Sequence, residues 1–172
     1  NAHLSLRDKI TTEEIHQILI KSANDLVTTS HPNYQLVASR LLNMQLRKDL
    51  WEHHNQPPSL MDHLTNCVDA GVYDRDLIKK WSKEDIDVFD TYVEHDRDYL
   101  FTYAGLQQML DKYLVKNRVS GQIFETPQFA YMCIALALFD EMQDVIDAYE
   151  CFSTFKVNLP TPIMAGVRTK IK

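Results

Sequence analysis

The chain has 172 residues, 45% of them hydrophobic and 24% charged, with a formal net charge of −6, enough apolar material for one ordinary domain or two small ones with a genuine core. An isoelectric point near 5.6 and the lack of a basic stripe with interleaved aromatics exclude a dedicated nucleic-acid binder, although not a nucleotide binder. The longest apolar run, near Met132 to Phe139, is far short of the ~20 residues that span a bilayer, so no membrane segment is expected.

Thr11, Thr12, Glu13 and Glu14 form a capping-box sequence, and Ile15, Ile18, Leu19, Ala23 and Leu26 follow at helical spacing, which predicts a helix over about 12–28. After His31-Pro32, the positions Leu36, Val37, Leu41, Met44 and Trp51 mark a second amphipathic helix ending before Gln56-Pro57-Pro58, and the two helices fit an antiparallel pair. The double proline is the best boundary. Beyond it the pattern restarts with Leu60, Leu64, Cys67 and Val68 and stops at Gly71, a suitable residue just past a helix end. Short helices are expected from Asp74 to Trp81, from the Ser82-x-x-Asp85 start to about Val93, and over about 101–111. Tyr113 to Lys116 and Gln122 to Glu125, parted by a polar stretch ending in Gly121, read as a β-hairpin. Thr126-Pro127 opens a buried helix through Phe139, a last helix spans about 142–153, and Lys156 to Leu159 is expected to be a short strand entering a sheet.

Several familiar chemistries are missing from the sequence. With four glycines there is no P-loop and no G-x-G-x-x-G, the two common phosphate cradles. Neither H-E-x-x-H nor G-x-S-x-G occurs, and Cys67, Cys133 and Cys151 are widely spaced with no C-x-x-C pair, which suits small core residues in a reducing compartment. His95-Asp96-Arg97-Asp98 is weighed as a metal or acid–base site and read as a partly buried ion-pair network at a helix start. Glu141, Asp144 and Asp147 share a helical face but lack a Glu-x-x-His partner, so they read as a solvated acidic face. His53-His54 reads as an exposed helix end. Thr12 and His16 stand one turn apart where a helix start attracts anions, and Lys48 lies late on the second helix. Pro160 and Pro162 bracket Thr161, which predicts an extended residue with its hydroxyl and N–H free to meet a phosphate.

Pro160 to Thr169, with Ser153 to Lys156 before it, resembles the large (catalytic, alpha) subunit of class I ribonucleoside-diphosphate reductase in its N-terminal region, of the bacterial and large-phage type. Collinear segments carry the resemblance through nearly the whole chain: Pro32 to Arg40, Leu46 to Lys48, His95 to Asp98, Lys112 to Arg118 and Gly121 to Phe129. The resemblance implies a mainly α fold with one β-hairpin, containing the second half of an ATP-cone and leading into the start of an α/β barrel. It divides the chain into 1–56, the C-terminal half of an ATP-cone-like regulatory module; 57–155, the helical N-terminal domain; and 156–172, the entry to the barrel. Thr12, His16 and Lys48 match the module's contacts to an ATP or dATP effector, with Met44 and Gln45 replacing its usual aromatic and histidine. Thr161 matches a contact to the diphosphate of the substrate.

The implied reaction replaces the ribonucleotide 2′-hydroxyl with hydrogen through a thiyl radical and so supplies deoxyribonucleotides for DNA synthesis. The implied partners are the remainder of the large subunit, a small radical-generating subunit that carries the metal centre, and thioredoxin or glutaredoxin as reductant. No cofactor is expected on this chain itself, and the setting is cytoplasmic, of the host if phage-encoded. The family's redox and thiyl cysteines lie in motifs to which Cys67, Cys133 and Cys151 do not correspond, so the 172 residues alone are expected to be inactive. Asn1 in place of Met, and Lys170-Ile171-Lys172 where the family continues differently, suit a cropped chain, a fragment or one piece of a split subunit. The competing reading is a stand-alone helical interaction or nucleotide-sensing module without catalysis.

Overall fold

A computed structural model describes residues 9–51, 56–117 and 119–170. Their helices are α1 (Thr12–Asp25), α2 (Tyr34–Leu50), α3 (Leu60–Asp69), α4 (Asp76–Lys80), α5 (Lys83–Asp90), α6 (Tyr103–Gln108), α7 (Pro127–Leu138), α8 (Met142–Ser153) and α9 (Thr161–Gly166), with a 3₁₀ turn over His95–Leu100 and a π turn over Met109–Tyr113.

Local chemistry sets most helix starts. Thr11 and Ser82 each close a reciprocal capping box, with Glu14 and Asp85 respectively, and Ser59, Thr102 and Thr126 each accept a backbone N–H one turn into their helices; each such bond satisfies a donor that the helix cannot. Gly71 ends α3 at φ 74°, with Val72 N–H donating to Cys67 O at 3.0 Å and Gly71 N–H to Val68 O at 2.9 Å, the two bonds of a Schellman stop.

The centre is α7, whose residues from Pro127 to Leu136 are all buried. Each large apolar side chain there contributes about 1.5–3 kcal/mol. Around it pack α4, α8, α9 and the 3₁₀ turn, while α1 pairs with α2 and α2 rests on α6 and the 3₁₀ turn. No helix among the described residues is long and apolar enough to cross a membrane.

Two expectations fail. The stretch 113–125 is not a β-hairpin: it holds one isolated antiparallel bridge, Lys116 to Ile123, beside single bonds from Phe124 N–H to Val115 O (3.0 Å) and from Asn117 N–H to Gln122 O (2.8 Å). The ladder stops because Val115 N–H donates instead to the Glu125 carboxylate, at 2.5 Å, and because Tyr113 belongs to the π turn. Nor does 156–172 begin an α/β barrel in the described residues. Lys156 to Leu159 forms no strand. Phe155 instead takes φ 59° and Lys156 N–H returns to Cys151 O at 2.9 Å, stopping α8 in the manner of Gly71, and α9 follows. His53 and His54 lie outside the described residues.

What anchors α9 and its flanks is a fully buried ion pair. Glu125 and Arg168 are both 0% exposed. Arg168 Nε donates to Glu125 Oε2 at 2.9 Å and Nη2 donates to Oε1, while Nη1 reaches Met164 O at 2.6 Å and Nη2 reaches Tyr113 O at 2.9 Å. Tyr73 donates its hydroxyl to Glu125, and the Arg168 carbonyl accepts from Asp74 N–H at 3.0 Å. Burial opposes the Arg168 charge, and the adjacent Glu125 carboxylate outweighs it and keeps the guanidinium protonated. Removing one partner of such a pair leaves a bare buried charge. Arg168→Leu should therefore destabilise the fold by about 3–5 kcal/mol in urea unfolding, with Glu125→Leu/Arg168→Leu recovering much of that loss. A single-variant cost below about 1 kcal/mol, the range of exposed pairs, would contradict this placement.

Candidate functional site

Lys48, late on α2, meets Glu13 at the start of α1, where Thr12 and His16 stand one turn apart. Lys48 Nζ lies 3.8 Å from Glu13 Oε1, both side chains being well exposed. Glu13's own backbone N–H and the Thr12 hydroxyl hold its carboxyl below the usual range, with Lys48 adding a smaller pull. His16 is half-buried, and its Nε2–H donates to Leu41 O at 2.6 Å, which leaves Nδ1 as the atom able to meet a ligand. Met44 is exposed one turn before Lys48, whereas Gln45 is buried and donates to Asp49 at 2.6 Å.

Thr161 lies far along the chain from this group, as the exposed first residue of α9. It is not the extended residue that the proline bracket predicted, because Pro160 (φ −67°, ψ 150°) caps the helix from outside and Pro162 fits within its first turn. The Thr161 side chain contacts the Tyr113 hydroxyl, and that contact, followed by the Gln108 amide, lowers the Tyr113 pKa from its ordinary value. Beside it opens a cleft of about 1030 Å³ whose wall includes Gly71, Lys112, Tyr113, Lys116, Pro162 and Lys170.

His95 to Asp98 forms an ion-pair network, but one with partners from other helices. Arg97 reaches α8, with Nη1 2.7 Å from Glu150 and 2.5 Å from Ser153 Oγ. The acids face Arg47 of α2, whose Nη2 stands 3.5 Å from Asp98 Oδ2 and whose Nη1 is 3.7 Å from Asp96. Arg47 also donates to His95 O and, at 3.3 Å, to the Tyr99 hydroxyl. Burial pushes the Asp98 carboxyl up to about 7 against the pull of Arg47, and burial followed by Arg47 pushes His95 down to about 4.

Sequence reasoning missed Glu125 and Arg168, although both stood inside quoted segments. It also missed His63, which stacks on Phe129 with ring centroids 4.1 Å apart and whose Nε2 lies 3.3 Å from the Tyr73 hydroxyl. Tyr73 gives its proton to Glu125, so His63 is the donor in that contact. Burial lowers its pKa to about 4, making it a neutral core histidine. Cys67 and Cys133 are buried free thiols, with Cys133 pushed up to about 12 by burial, so neither is poised as a nucleophile. Among the described residues no three His, Cys, Asp or Glu side chains are grouped to hold a metal.

The described residues thus form a helical scaffold with an exposed threonine at the start of α9 and a polar cluster where α1 meets α2. Residues 99–172 match the family described as ribonucleotide reductase, all-alpha domain. Along nearly its whole length the chain is similar to ribonucleoside-diphosphate reductase alpha subunits. The relative from Enterobacteria phage T4 is 46% identical over 169 residues, covering 95% of this chain and 22% of the relative. That of Escherichia coli strain K12 is 42% identical over 174 residues, covering 98% and 23%, and that of Haemophilus influenzae is 41% identical with the same coverage. The chain thus spans less than a quarter of the length of these curated relatives.

The raised Asp98 pKa has a measurable consequence. The unfolded chain releases this proton near pH 4 and the folded chain holds it to about pH 7, so its contribution to stability is complete below about pH 4 and is lost as pH rises to 7. Urea unfolding across that window should show the stability of the parent chain falling relative to Asp98→Asn. A difference that stays flat or grows with pH would contradict the assignment.

Proposed function

We propose that this chain is the N-terminal helical part of a ribonucleoside-diphosphate reductase large subunit, carrying one edge of the substrate site and part of an effector site. The carrying observation is the similarity along almost the whole chain to subunits of that name, joined to an exposed Thr161 at the start of α9 beside a large cleft. In this reading Thr161 holds the diphosphate of a ribonucleotide by its hydroxyl and its own backbone N–H, the N–H groups of Ile163 and Met164 being bonded to the Pro160 carbonyl. Its role is positioning, which keeps the ribose in register while the thiyl-radical chemistry proceeds on the remainder of the subunit. The radical comes from the small metal-containing subunit and the reducing equivalents from thioredoxin or glutaredoxin.

Residues 1–56 form the regulatory portion, 57–155 the helical domain and 156–172 the link to the rest of the subunit. An ATP or dATP phosphate would take Lys48 from Glu13, a weak exposed pair that is readily exchanged. Thr12 then supplies a hydroxyl and His16 its Nδ1. With Met44 in place of an aromatic, the base packs on a thioether rather than stacking on a ring.

In the complete enzyme with its radical-generating partner, Thr161→Val should raise the KM for ribonucleoside diphosphate about three- to tenfold, as loss of a hydrogen bond does, with kcat within about twofold. An unchanged KM would overturn the substrate role. For the effector role, calorimetric titration with dATP should show Lys48→Ala weakening binding roughly tenfold or more, the scale of a charge-assisted contact, and equal affinities would contradict it.

A further inference from the structure

Where the α1–α2 pair meets the rest of the chain, buried polar atoms stand without protein partners. Arg47 and Asp98 are both buried there, yet Arg47 Nη2 stops 3.5 Å from Asp98 Oδ2, beyond the roughly 2.7–2.9 Å of a charge-assisted hydrogen bond. Arg47 Nε and both Asp98 carboxylate oxygens have no hydrogen-bond partner, and neither do the Asn43 amide oxygen and nitrogen or Gln128 Nε2. Asn43 and Gln128 are each 0% exposed, so bulk solvent does not reach them. Buried groups left this way carry their full desolvation penalty.

The four residues converge from three elements. Asn43 lies one turn before Arg47 on α2, and helical side chains lean toward the helix N-terminus, which lays the Arg47 stem over Asn43. Asp98 belongs to the 3₁₀ turn, which packs on both α2 and α7. Gln128 stands in the first turn of α7, and its amide has a fixed sense. Glu94 N–H donates to the Tyr149 hydroxyl at 2.8 Å, and that hydroxyl gives its own proton to Gln128 Oε1, also at 2.8 Å, which leaves Nε2 facing elsewhere. Burial raises the Asp98 pKa, while Arg47 and then the Gln128 amide oppose the rise, so Gln128 acts on the carboxyl from the α7 side as Arg47 does from α2.

Charge and hydrogen-bonding capacity select the occupant of such a site. A cation would meet the Arg47 guanidinium, and an anion the Asp98 carboxylate. Water can donate to Asp98 and to Asn43 Oδ1 and accept from Arg47 Nε and Gln128 Nε2, and about three such partners hold a water in a protein interior. We infer that the seam between α2, the 3₁₀ turn and α7 is an internal water-binding site, with Asn43, Arg47, Asp98 and Gln128 as its ligands. Water then completes the Arg47–Asp98 pair and ties α2 to the head of α7 without a direct hydrogen bond between the charges. The site stands whether or not the chain acts as proposed above.

The test is a crystal structure of the parent chain at a resolution that shows ordered solvent, beside water-to-amide nuclear Overhauser spectra of the parent and of Asn43→Leu in solution. The crystal should show water about 2.7–3.2 Å from an Asp98 oxygen and at like distance from Asn43, Arg47 Nε or Gln128 Nε2. In solution a long-lived internal water should give cross-peaks to the Gln128 side-chain amide protons. Asn43→Leu removes a donor and an acceptor at similar volume and should weaken those cross-peaks about twofold or more; unchanged peaks would overturn the site. Asp98 closed directly on Arg47 and Gln128 with no solvent between them would also overturn it, as would an ion in place of water. Should Asn43→Leu not fold, the parent spectra decide alone, because a Gln128 amide without a water cross-peak contradicts the proposal.

Discussion

Everything near the C-terminal third of this chain depends on placing one arginine and one carboxylate together out of water. A buried pair of this kind is not by itself a strong source of stability, because desolvation offsets the Coulomb attraction. What it does is specify. Glu125 accepts from Tyr73, Val115 and Arg168, and Arg168 in turn donates to the carbonyls of Tyr113 and Met164, so four separate segments must be in register before the charges are satisfied. An apolar pair of similar volume would fill the space without fixing those directions. The exposed face of α9, including Thr161, inherits its position from this arrangement.

A second polar seam joins the α1–α2 pair to the helical domain. Arg47 projects inward from α2 to His95, Asp98 and Tyr99, while its neighbour Lys48 projects outward to Glu13. Adjacent residues on one helix thus face the core and the candidate effector cluster. Arg97 extends the seam to α8 through Glu150 and Ser153. The segments that carried the family resemblance are therefore largely those that touch one another: Leu46 to Lys48 meets His95 to Asp98, which meets Ser153, and Gly121 to Phe129 meets Arg168.

Much of the helical layout was legible in the sequence because caps act locally. Thr11 with Glu14, Ser82 with Asp85, Thr126 with Pro127, and Gly71 all mark helix limits within one turn of chain, and the structure uses each of them. The hairpin does not form because two short segments parted by a polar stretch ending in Gly121 say nothing about where the Val115 N–H goes, and Glu125, a tertiary partner, takes it. The strand after α8 was misread because a left-handed Phe155 gives no composition signal of the kind a glycine does. Thr161 was recognised as exposed and donor-rich, but its helical start was hidden by prolines that also favour extended chain. The Glu125–Arg168 pair joins residues 43 positions apart, and no single-sequence pattern announces such a meeting.

Hydrogen exchange on Glu125→Gln, read peptide by peptide beside the parent chain, tests most directly whether this pair organises the region. Neutralising the carboxylate should strip protection together from 113–115, from 164–169 and from Asp74, while α1 and α2 keep theirs. Loss confined to the immediate neighbours of residue 125, or none at all, would contradict the account.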